Sequence, residues 1–249
     1  MKKTVAIVLC AALMLCAGAA LGEDYAIATD TEFRPFAYTD ESGALVGIDV
    51  ELLAAIAKDQ GFTYSIEPMG FDASIAACQA GTKDGMIAAA SITEERVASG
   101  WIFSDPYFYG TSQSMAVAQG TPIRSFEDLR GHSVSVKAGT LSKDYADSLA
   151  EQYGFTVVTF DNSLSVYMAV TGGECAACFD DTPALEEYIQ EGGIFLELVA
   201  DTSNQAADYG FVVFSADKQE LVDKFNAGLA NIKASGEYDR IMDKYLGQK

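Results

Sequence analysis

Two adjacent aspartates, Asp180 and Asp181, interrupt an otherwise apolar stretch that reads "CAACFDDTP" over residues 175–183. Neighbouring carboxylates repel one another, and a buried carboxylate is costly unless hydrogen bonds or an opposite charge compensate it. The apolar run before them is typical of a buried strand, so both acids are expected at the end of that strand. A pair in this position predicts a cationic partner, supplied either by the protein or by a ligand.

Polar side chains also close three other runs that read as strands. Asp30 ends "YAIATD" and Ser91 ends "MIAAAS", while Lys137 and Thr140 lie in "SVSVKAGT". Ligands of open α/β sheets bind at the carboxyl ends of the strands. These residues therefore predict a binding site for a small ligand that carries charged or polar groups.

Arg96 and two phenylalanines lie close to these strand ends along the chain. The planar guanidinium of Arg96 suits a carboxylate because it makes two parallel hydrogen bonds. The alternative for Arg96 is a solvated helix residue that pairs with Glu94 or Glu95. Phe33 and Phe71 could flank a small ligand, and the alternative for both is packing in the core.

The residue types needed for catalysis or metal binding are scarce. His132 is the single histidine and is expected in a turn, and no G-x-S-x-G, P-loop or G-x-G-x-x-G occurs. Cys78, Cys175 and Cys178 are predicted as small core residues, because residues three apart in a strand point to opposite faces and pair poorly. We therefore expect no catalytic residue, no metal site and no cofactor.

The net charge narrows the choice of partner. The chain of 249 residues carries a formal charge of −20, with its acids scattered along the sequence. Nucleic acids and anionic membrane surfaces both require clusters of Lys and Arg. The charge therefore argues against both partners and indicates an acidic, solvated surface.

The N-terminus reads as a secretory signal. A basic "MKK" precedes the apolar "TVAIVLCAALMLCAGAALG", so residues 1–22 are interpreted as a signal peptide. A membrane helix is the alternative for a run of this length. Cys16 is a candidate lipid anchor, although lipoprotein signals prefer a residue smaller than Leu15 before the cysteine. We expect an extracytoplasmic protein, in the periplasm or on the outer face of the cell membrane.

Strand-like and helical runs alternate through the rest of the chain. Strands are predicted over residues 25–30, 63–69, 84–91, 132–139, 155–160, 175–180 and 209–214. Helices are predicted over residues 47–62, 72–81, 93–100, 141–154, 163–173, 182–193 and 217–247, with Asp49 as a candidate N-cap of the first. This alternation favours an α/β fold with mostly parallel sheets.

Two extended segments, residues 103–110 and 207–214, are candidates for crossovers between two lobes. If the chain crosses at both, the lobes are discontinuous. The prediction is then a first lobe of residues 24–105 plus 210–249 and a second lobe of residues 111–205. The hinges would lie near residues 106–110 and 206–209.

Several stretches together, in order and spacing, resemble one family. They include "ATDTEFRPFAY", "VGIDVELLAAIAKDQGF", "SITEERVASGWIFSDPYF" and "DDTPALEEYI". Essentially end to end, the mature chain resembles the extracellular solute-binding proteins (family 3) of polar amino-acid ABC transporters, and it is most similar to the glutamine-binding branch.

The resemblance implies a type II periplasmic-binding-protein fold. Each of its two α/β lobes is a mostly parallel sheet flanked by helices, and two extended hinges let the lobes close on ligand. The implied partners are a free L-amino acid and the membrane permease of an ABC transporter. A monomer without enzymatic activity is expected.

The resemblance also implies roles for the candidate residues. Arg96 with Ser91 would bind the ligand carboxylate, and Asp181 the ammonium group, although Asp181 could instead cap the helix that follows it. Phe33 and Phe71 would enclose the ligand between aromatic faces. Positions that read the side chain or close the lobes would be held by Asp30, Lys137, Thr140 and Asp180.

Two departures from the glutamine-binding branch affect the expected ligand. Asp180 replaces a histidine and adds a negative charge, and Ala89 replaces a glycine, a change that looks small. A cationic side chain would be favoured if Lys137 points away from the site, whereas a neutral amide could use both Asp30 and Lys137. We expect glutamine or a similar neutral polar amino acid, with arginine or lysine as the alternative.

An enzyme on the same scaffold is a further alternative. Some relatives of the family resemble dehydratases that act on prephenate or arogenate, and these need a general acid in a dry cleft. Asp180 could serve only if its carboxyl held a proton. Beside Lys137 it is expected to stay ionised, so a binding protein is the favoured interpretation.

Overall fold

A computed structural model of the chain describes residues 24–190, 193–205 and 207–247. The predicted signal peptide of residues 1–22, with its candidate anchor Cys16, lies outside the described residues. The strands, in chain order, are β1 (Asp24–Thr29), β2 (Glu32–Phe33), β3 (Ala37–Thr39), β4 (Leu45–Val46), β5 (Thr63–Pro68), β6 (Gly85–Ser91), β7 (Ile102–Phe103), β8 (Ser112–Ala118), β9 (Ser133–Lys137), β10 (Thr156–Phe160), β11 (Ala177–Asp181), β12 (Leu196–Leu198), β13 (Asn204–Gln205) and β14 (Tyr209–Val213). The helices are α1 (Ile48–Gln60), α2 (Phe71–Gln79), α3 (Glu94–Ala98), α4 (Leu141–Tyr153), α5 (Ser163–Thr171), α6 (Thr182–Gln190), α7 (Gln219–Ser235) and α8 (Glu237–Leu246).

The first sheet has the strand order β5-β1-β6-β14-β7. Strands β5, β1 and β6 run parallel, whereas β14 runs antiparallel to β6. Every residue of β6 is buried, as is typical of a strand covered on both faces by helices. The core beside it includes Ile27, Leu52, Ile87 and Phe225.

The second sheet has the strand order β10-β9-β11-β8-β12, and β13 also pairs with β8. Strands β10, β9 and β11 are parallel, and β8 is antiparallel to β11. The fold is therefore mixed α/β with parallel strands flanked by helices, as predicted. Strand β8 was not predicted, although it lies inside this sheet and pairs with β11, β12 and β13.

The chain passes between the two sheets twice. The strands of the first sheet come from residues 24–103 and 209–213, and those of the second from residues 112–205. The domain limits predicted from the sequence stay a prediction, because sheet membership defines strands and not domain borders.

Some local expectations need correction and others are confirmed. Asp49 is not the N-cap of α1, because the helix begins at Ile48 after Gly47 and Asp49 lies inside its first turn. Strand β11 begins at Ala177 and not at residue 175. Cys78, Cys175 and Cys178 are buried and free, as expected for small core residues.

A bulge near the end of β6 changes the direction of the strand and its pairing with β14. Gly210 of β14 faces Ala90, whereas Val212 faces Met86, so the pairing register shifts between them. Ala89 lies in this bulge with a positive φ of 49°, a conformation that costs a residue with a Cβ roughly 1–2 kcal/mol. A glycine, which the resemblance to the glutamine-binding branch implies here, would adopt the same φ without strain, so its replacement by Ala89 is a larger change than expected from the sequence.

We expect Ala89→Gly to raise the free energy of unfolding by about 1 kcal/mol, because relief of the left-handed strain outweighs the added freedom of the unfolded chain. Urea denaturation of the ligand-free protein measures this change. Ala90→Gly is the matched control, since Ala90 is buried in the same strand and is expected to lower stability. Equal losses in both variants would contradict the assignment of strain to Ala89.

Candidate functional site

A small pocket lies where strand ends of the two sheets meet. All predicted site residues except Asp30 line it, and Asp30 contacts one of the lining side chains. The lining residues are Phe33, Phe71, Ala88, Ala89, Ser91, Arg96, Lys137, Thr140, Leu141, Asp180 and Asp181. The structure thus brings together the residues selected for their positions after strands.

Arg96 spans the cleft from the short helix α3. Its Nη1 donates to the carbonyl oxygen of Ser91 at 3.1 Å, and its Nη2 to that of Gly139 at 3.1 Å. The guanidinium carbon lies 4.7 Å from the ring centroid of Trp101 and 5.6 Å from that of Phe71. A planar cation held in this way can bind a carboxylate with two parallel hydrogen bonds.

The N-terminus of α4 adds a second anion-attracting element. The Thr140 hydroxyl caps this helix by accepting from the Lys143 N–H at 3.3 Å, and it donates to the Lys137 carbonyl at 2.8 Å. Leu141, the first residue of α4, lines the cavity. Helix N-termini favour negative charge, so Arg96 and α4 together make a carboxylate-binding end.

Asp181 is held by neutral donors from three other elements. Its Oδ1 accepts from Gln113 Nε2 at 3.0 Å and from Ser142 Oγ at 3.2 Å, and its Oδ2 accepts from the Tyr209 hydroxyl. Burial and the nearby carboxylates of Asp181 and Asp180 raise the pKa of Tyr209 well above its usual value, so this phenol stays a donor. Neutral donors orient the Asp181 carboxylate without cancelling its charge, which leaves a cation-attracting end.

The described contacts do not match the alternative roles of Arg96, as a partner of Glu94 or Glu95, and of Asp181, as a helix cap. Arg96 directs its guanidinium to backbone carbonyl oxygens and not to Glu94 or Glu95. Asp181 accepts hydrogen bonds from side chains of other elements, and none from the first turn of α6 is found within the described part of the chain.

Lys137 fills the space between the two aromatic rings. Its Nζ donates to Asp30 Oδ2 at 2.8 Å and lies 3.8 Å from the ring centroid of Phe33 and 5.7 Å from that of Phe71. Burial alone would lower the pKa of this amine, but the carboxylates of Asp30 and Asp180 more than offset burial and raise it. The ammonium group of Lys137 therefore lies in the space between Phe33 and Phe71, which we call the aromatic cage.

Asp180 is compensated from within the protein. The Tyr167 hydroxyl donates to its Oδ2 at 2.8 Å, and the Asp181 N–H donates to its Oδ1 at 2.8 Å. Burial raises the pKa of Asp180, while Lys137 opposes this effect and the Asp181 charge adds to it. The extra acid that distinguishes this chain from the glutamine-binding branch is thus partly matched by Lys137.

Several residues with a part in the site carry no strong sequence signal. Gln113 lies on the unpredicted strand β8, and Trp101, Tyr167 and Tyr209 read as ordinary core aromatics. Their hydroxyl, amide or ring groups act only because distant elements converge. Gln113 and Asp181, for example, are 68 positions apart in the chain.

Several hydrogen bonds link the two sides of the cleft. Besides the pair of Lys137 and Asp30 and the bond from Tyr209 to Asp181, Arg96 reaches Gly139, and the hydroxyl of Tyr188 on α6 donates to Glu32 Oε1 of β2 at 3.0 Å. The cleft is therefore closed in this structure.

The profile of the bacterial extracellular solute-binding proteins, family 3, matches residues 25–248. The chain belongs to this family. Among curated relatives, this solute-binding protein is 29% identical to the arginine-binding periplasmic protein of Mannheimia haemolytica, over 100% of both chains.

Two solved structures of relatives allow the conformation of this protein to be compared with a ligand-bound and an open state. An ancestral arginine-binding protein bound to glutamine is 35% identical with a TM-score of 0.81, covering 90% of this chain and 98% of that one. The second substrate-binding domain of Lactococcus lactis GlnP, in an open conformation, is 36% identical with a TM-score of 0.60, covering 91% and 96%. At nearly the same identity, the solute-binding protein superposes better on the ligand-bound relative, in agreement with its closed cleft.

The family is described as bacterial and extracellular, and the curated relative is named as a periplasmic protein. Within the part of the chain that the structure describes, no helix combines the length and apolarity needed to cross a bilayer.

Lys137→Met is expected to open the ligand-free protein, because Asp30 and Asp180 would face each other without a counter-charge and gain hydration on opening. Small-angle X-ray scattering should show a larger radius of gyration. The loss of unfolding free energy should stay below the roughly 3–5 kcal/mol of a buried pair that cannot rehydrate. Lys143→Met, at a more exposed lysine of α4, is the control, and an unchanged radius in Lys137→Met would refute the prediction.

Proposed function

We propose that this protein binds a free polar L-amino acid outside the cytoplasm and delivers it to the permease of an ABC transporter, acting as a monomer. The observation that carries the proposal is the polarity of the cavity. Arg96 and the α4 N-terminus attract an anion at one end, and the Asp181 carboxylate attracts a cation at the other. A free amino acid supplies both the anion and the cation, as its carboxylate and its ammonium group.

In this proposal the ligand carboxylate binds Arg96 and Ser91 near the N-terminus of α4, and the ligand ammonium binds Asp181. Phe33, as a wall of the cavity, would contact the apolar part of the ligand. These residues provide charge-assisted hydrogen bonds, which are stronger than neutral ones. No step of covalent chemistry is required of them.

The preferred ligand in this proposal has a neutral polar side chain and is glutamine-like. Lys137 points into the site, and its ammonium already occupies the cage beside Phe33. A side-chain amide could accept from Lys137 and donate to Asp30 or Asp180. A cationic side chain would have to displace Lys137 from both carboxylates.

A basic amino acid is the second candidate ligand. The curated relative described above is named for arginine, and the ancestral arginine-binding protein was solved with glutamine bound. Three acids, Asp30, Asp180 and Asp181, face two bases at the site, so the local charge also favours a cation. These observations keep arginine and lysine as alternatives.

A dehydratase on the same scaffold has less support. Burial raises the pKa of Asp180, as a general acid requires, but Lys137 opposes the shift. Both carboxylate oxygens of Asp180 accept hydrogen bonds from the protein, so its position is that of a structural acceptor. The relatives reported above are binding proteins and not enzymes.

We expect Arg96→Ala and Asp181→Ala each to weaken amino-acid binding at least about 100-fold, because each removes charged hydrogen bonds worth roughly 3 kcal/mol. Isothermal titration calorimetry measures the loss, and circular dichroism checks the fold. The exposed residues Arg130 and Asp147 supply matched controls as Arg130→Ala and Asp147→Ala. Binding at the wild-type level in either site variant would refute the zwitterion clamp.

A thermal-shift screen of the common amino acids tests ligand class, since a ligand at 100 times its Kd stabilises the native state by about 2.7 kcal/mol. We expect L-glutamine to raise the melting temperature of the wild type more than L-arginine or L-lysine. In Lys137→Ala, which empties the cage of its ammonium, the order should reverse. A wild type that responds most to L-arginine would establish the alternative ligand.

A further inference from the structure

Tyr188 of α6 and Glu32 of β2 make a hydrogen bond across the cleft that lies outside the cavity. The Tyr188 hydroxyl donates to Glu32 Oε1 at 3.0 Å. Neither residue is among those that line the cavity, although both lie next to residues that do. Phe33 follows Glu32 on β2, and α6 begins directly after Asp181. The bond therefore joins the two sides of the cleft without a place in the lining of the ligand site.

The Tyr188 side chain is held in place on its own side of the cleft. Its ring is buried and packs edge-on against the ring of Tyr167, with the centroids 4.8 Å apart. Tyr167 is itself fully buried, and its hydroxyl donates to Asp180. Burial, and then the negative charge of Glu32, raises the pKa of Tyr188 well above its usual value, so the phenol stays a donor. A side chain held in this way loses little conformational freedom when it makes the bond.

The Glu32 side chain is positioned from the opposite side of the cleft. Arg34 Nε lies 3.4 Å from the same Oε1 that accepts from Tyr188. The Arg34 guanidinium in turn lies 4.1 Å from the ring centroid of Tyr38, which pairs with Glu32 across β2 and β3. A hydrogen bond to a carboxylate is stronger than one between neutral groups, so the preformed acceptor makes this a contact of consequence.

A contact that exists only while the cleft is closed acts on the population of the closed form. The apparent affinity of a ligand that binds the closed form scales with that population. A side chain that touches the ligand favours one ligand over another, because the ligands differ where they are touched. A bond outside the cavity makes no such distinction, so its loss should reduce the affinity for every ligand by the same factor.

We propose that Tyr188 and Glu32 form a latch, called the outer latch below, which stabilises the closed cleft and raises the affinity for each amino acid that the protein binds by the same factor. This role rests on the proposed function, since it takes an amino acid as the ligand. Tyr188 is then a positioning residue that acts through Glu32 and not through contact with the ligand.

Tyr188→Phe tests the outer latch, because it removes the hydroxyl and keeps the ring that packs on Tyr167. We expect a loss of affinity of about three- to tenfold for L-glutamine and for L-arginine, with the ratio of the two affinities within about twofold of wild type. Isothermal titration calorimetry measures both losses, and stopped-flow kinetics should assign them to faster dissociation. Tyr145→Phe is the matched control, because the Tyr145 hydroxyl donates to the Thr202 carbonyl on the same side of the cleft. It should leave both affinities within about twofold of wild type.

A double-mutant cycle identifies Glu32 as the partner of Tyr188. Glu32→Ala should weaken binding at least as much as Tyr188→Phe does. Once Glu32→Ala is present, Tyr188→Phe should cause less than about a twofold further loss, because the bond is already gone. Glu32→Gln keeps a side-chain oxygen that can accept from the Tyr188 hydroxyl, and it should retain more affinity than Glu32→Ala.

Wild-type affinity in Tyr188→Phe, or additive losses in the double variant, would overturn the outer latch and leave the proposed function standing. A loss confined to one of the two amino acids would also overturn it, because Tyr188 would then read the ligand. If the wild type binds only one of them, the double-mutant cycle with that amino acid decides. A wild type that binds no common amino acid would contradict the proposed function itself. The outer latch then predicts a larger radius of gyration for Tyr188→Phe than for Tyr145→Phe by small-angle X-ray scattering, and equal radii would overturn it.

Discussion

The buried pair of Lys137 and Asp30 is the interaction on which the closed structure depends. One partner ends β9 of the second sheet and the other follows β1 of the first, so the bond joins the two halves across the cleft. Removing two charges from water is expensive. Here the ring of Phe33 and the second carboxylate, Asp180, lie beside the ammonium and offset part of that desolvation.

The remaining charges of the site are arranged around this pair. Arg96 lies toward the N-terminus of α4, and Asp181 is held by neutral donors near Tyr209. Each charge is thus oriented by hydrogen bonds but keeps its sign toward the cavity. A zwitterion, the ligand of the proposed function, would complete this arrangement, whereas an uncharged ligand would leave both ends desolvated without a partner.

The sequence predicts most of the site because open sheets collect ligands at strand ends. That rule alone selects Asp30, Ser91, Lys137 and Asp181, each after a recognisable apolar run. It does not identify β8, whose "SQSMAVA" begins with three polar residues and leaves only a short apolar run. The rule also does not predict which strand ends contact one another, since Lys137 and Asp30 are 107 positions apart. Asp49 was interpreted from local helix signals alone, and its hydrogen bond with the Ala89 N–H depends on a bulge that tertiary pairing creates.

The position of Lys137 bears on how one scaffold can serve ligands of different charge. A side chain tethered beside its own site acts at an effective concentration in the millimolar range or above, so a cationic ligand must compete with an ammonium that is always present. If a cationic ligand displaced Lys137, the ligand would pair with Asp30 and Asp180 in its place. One positive charge would replace another, with no net electrostatic gain. A neutral amide avoids the exchange, because it can add a donor and an acceptor while Lys137 keeps its carboxylates. In the proposed function, Asp180 thus strengthens the hold on Lys137, and through Lys137 it would disfavour the cations that its own charge would otherwise attract.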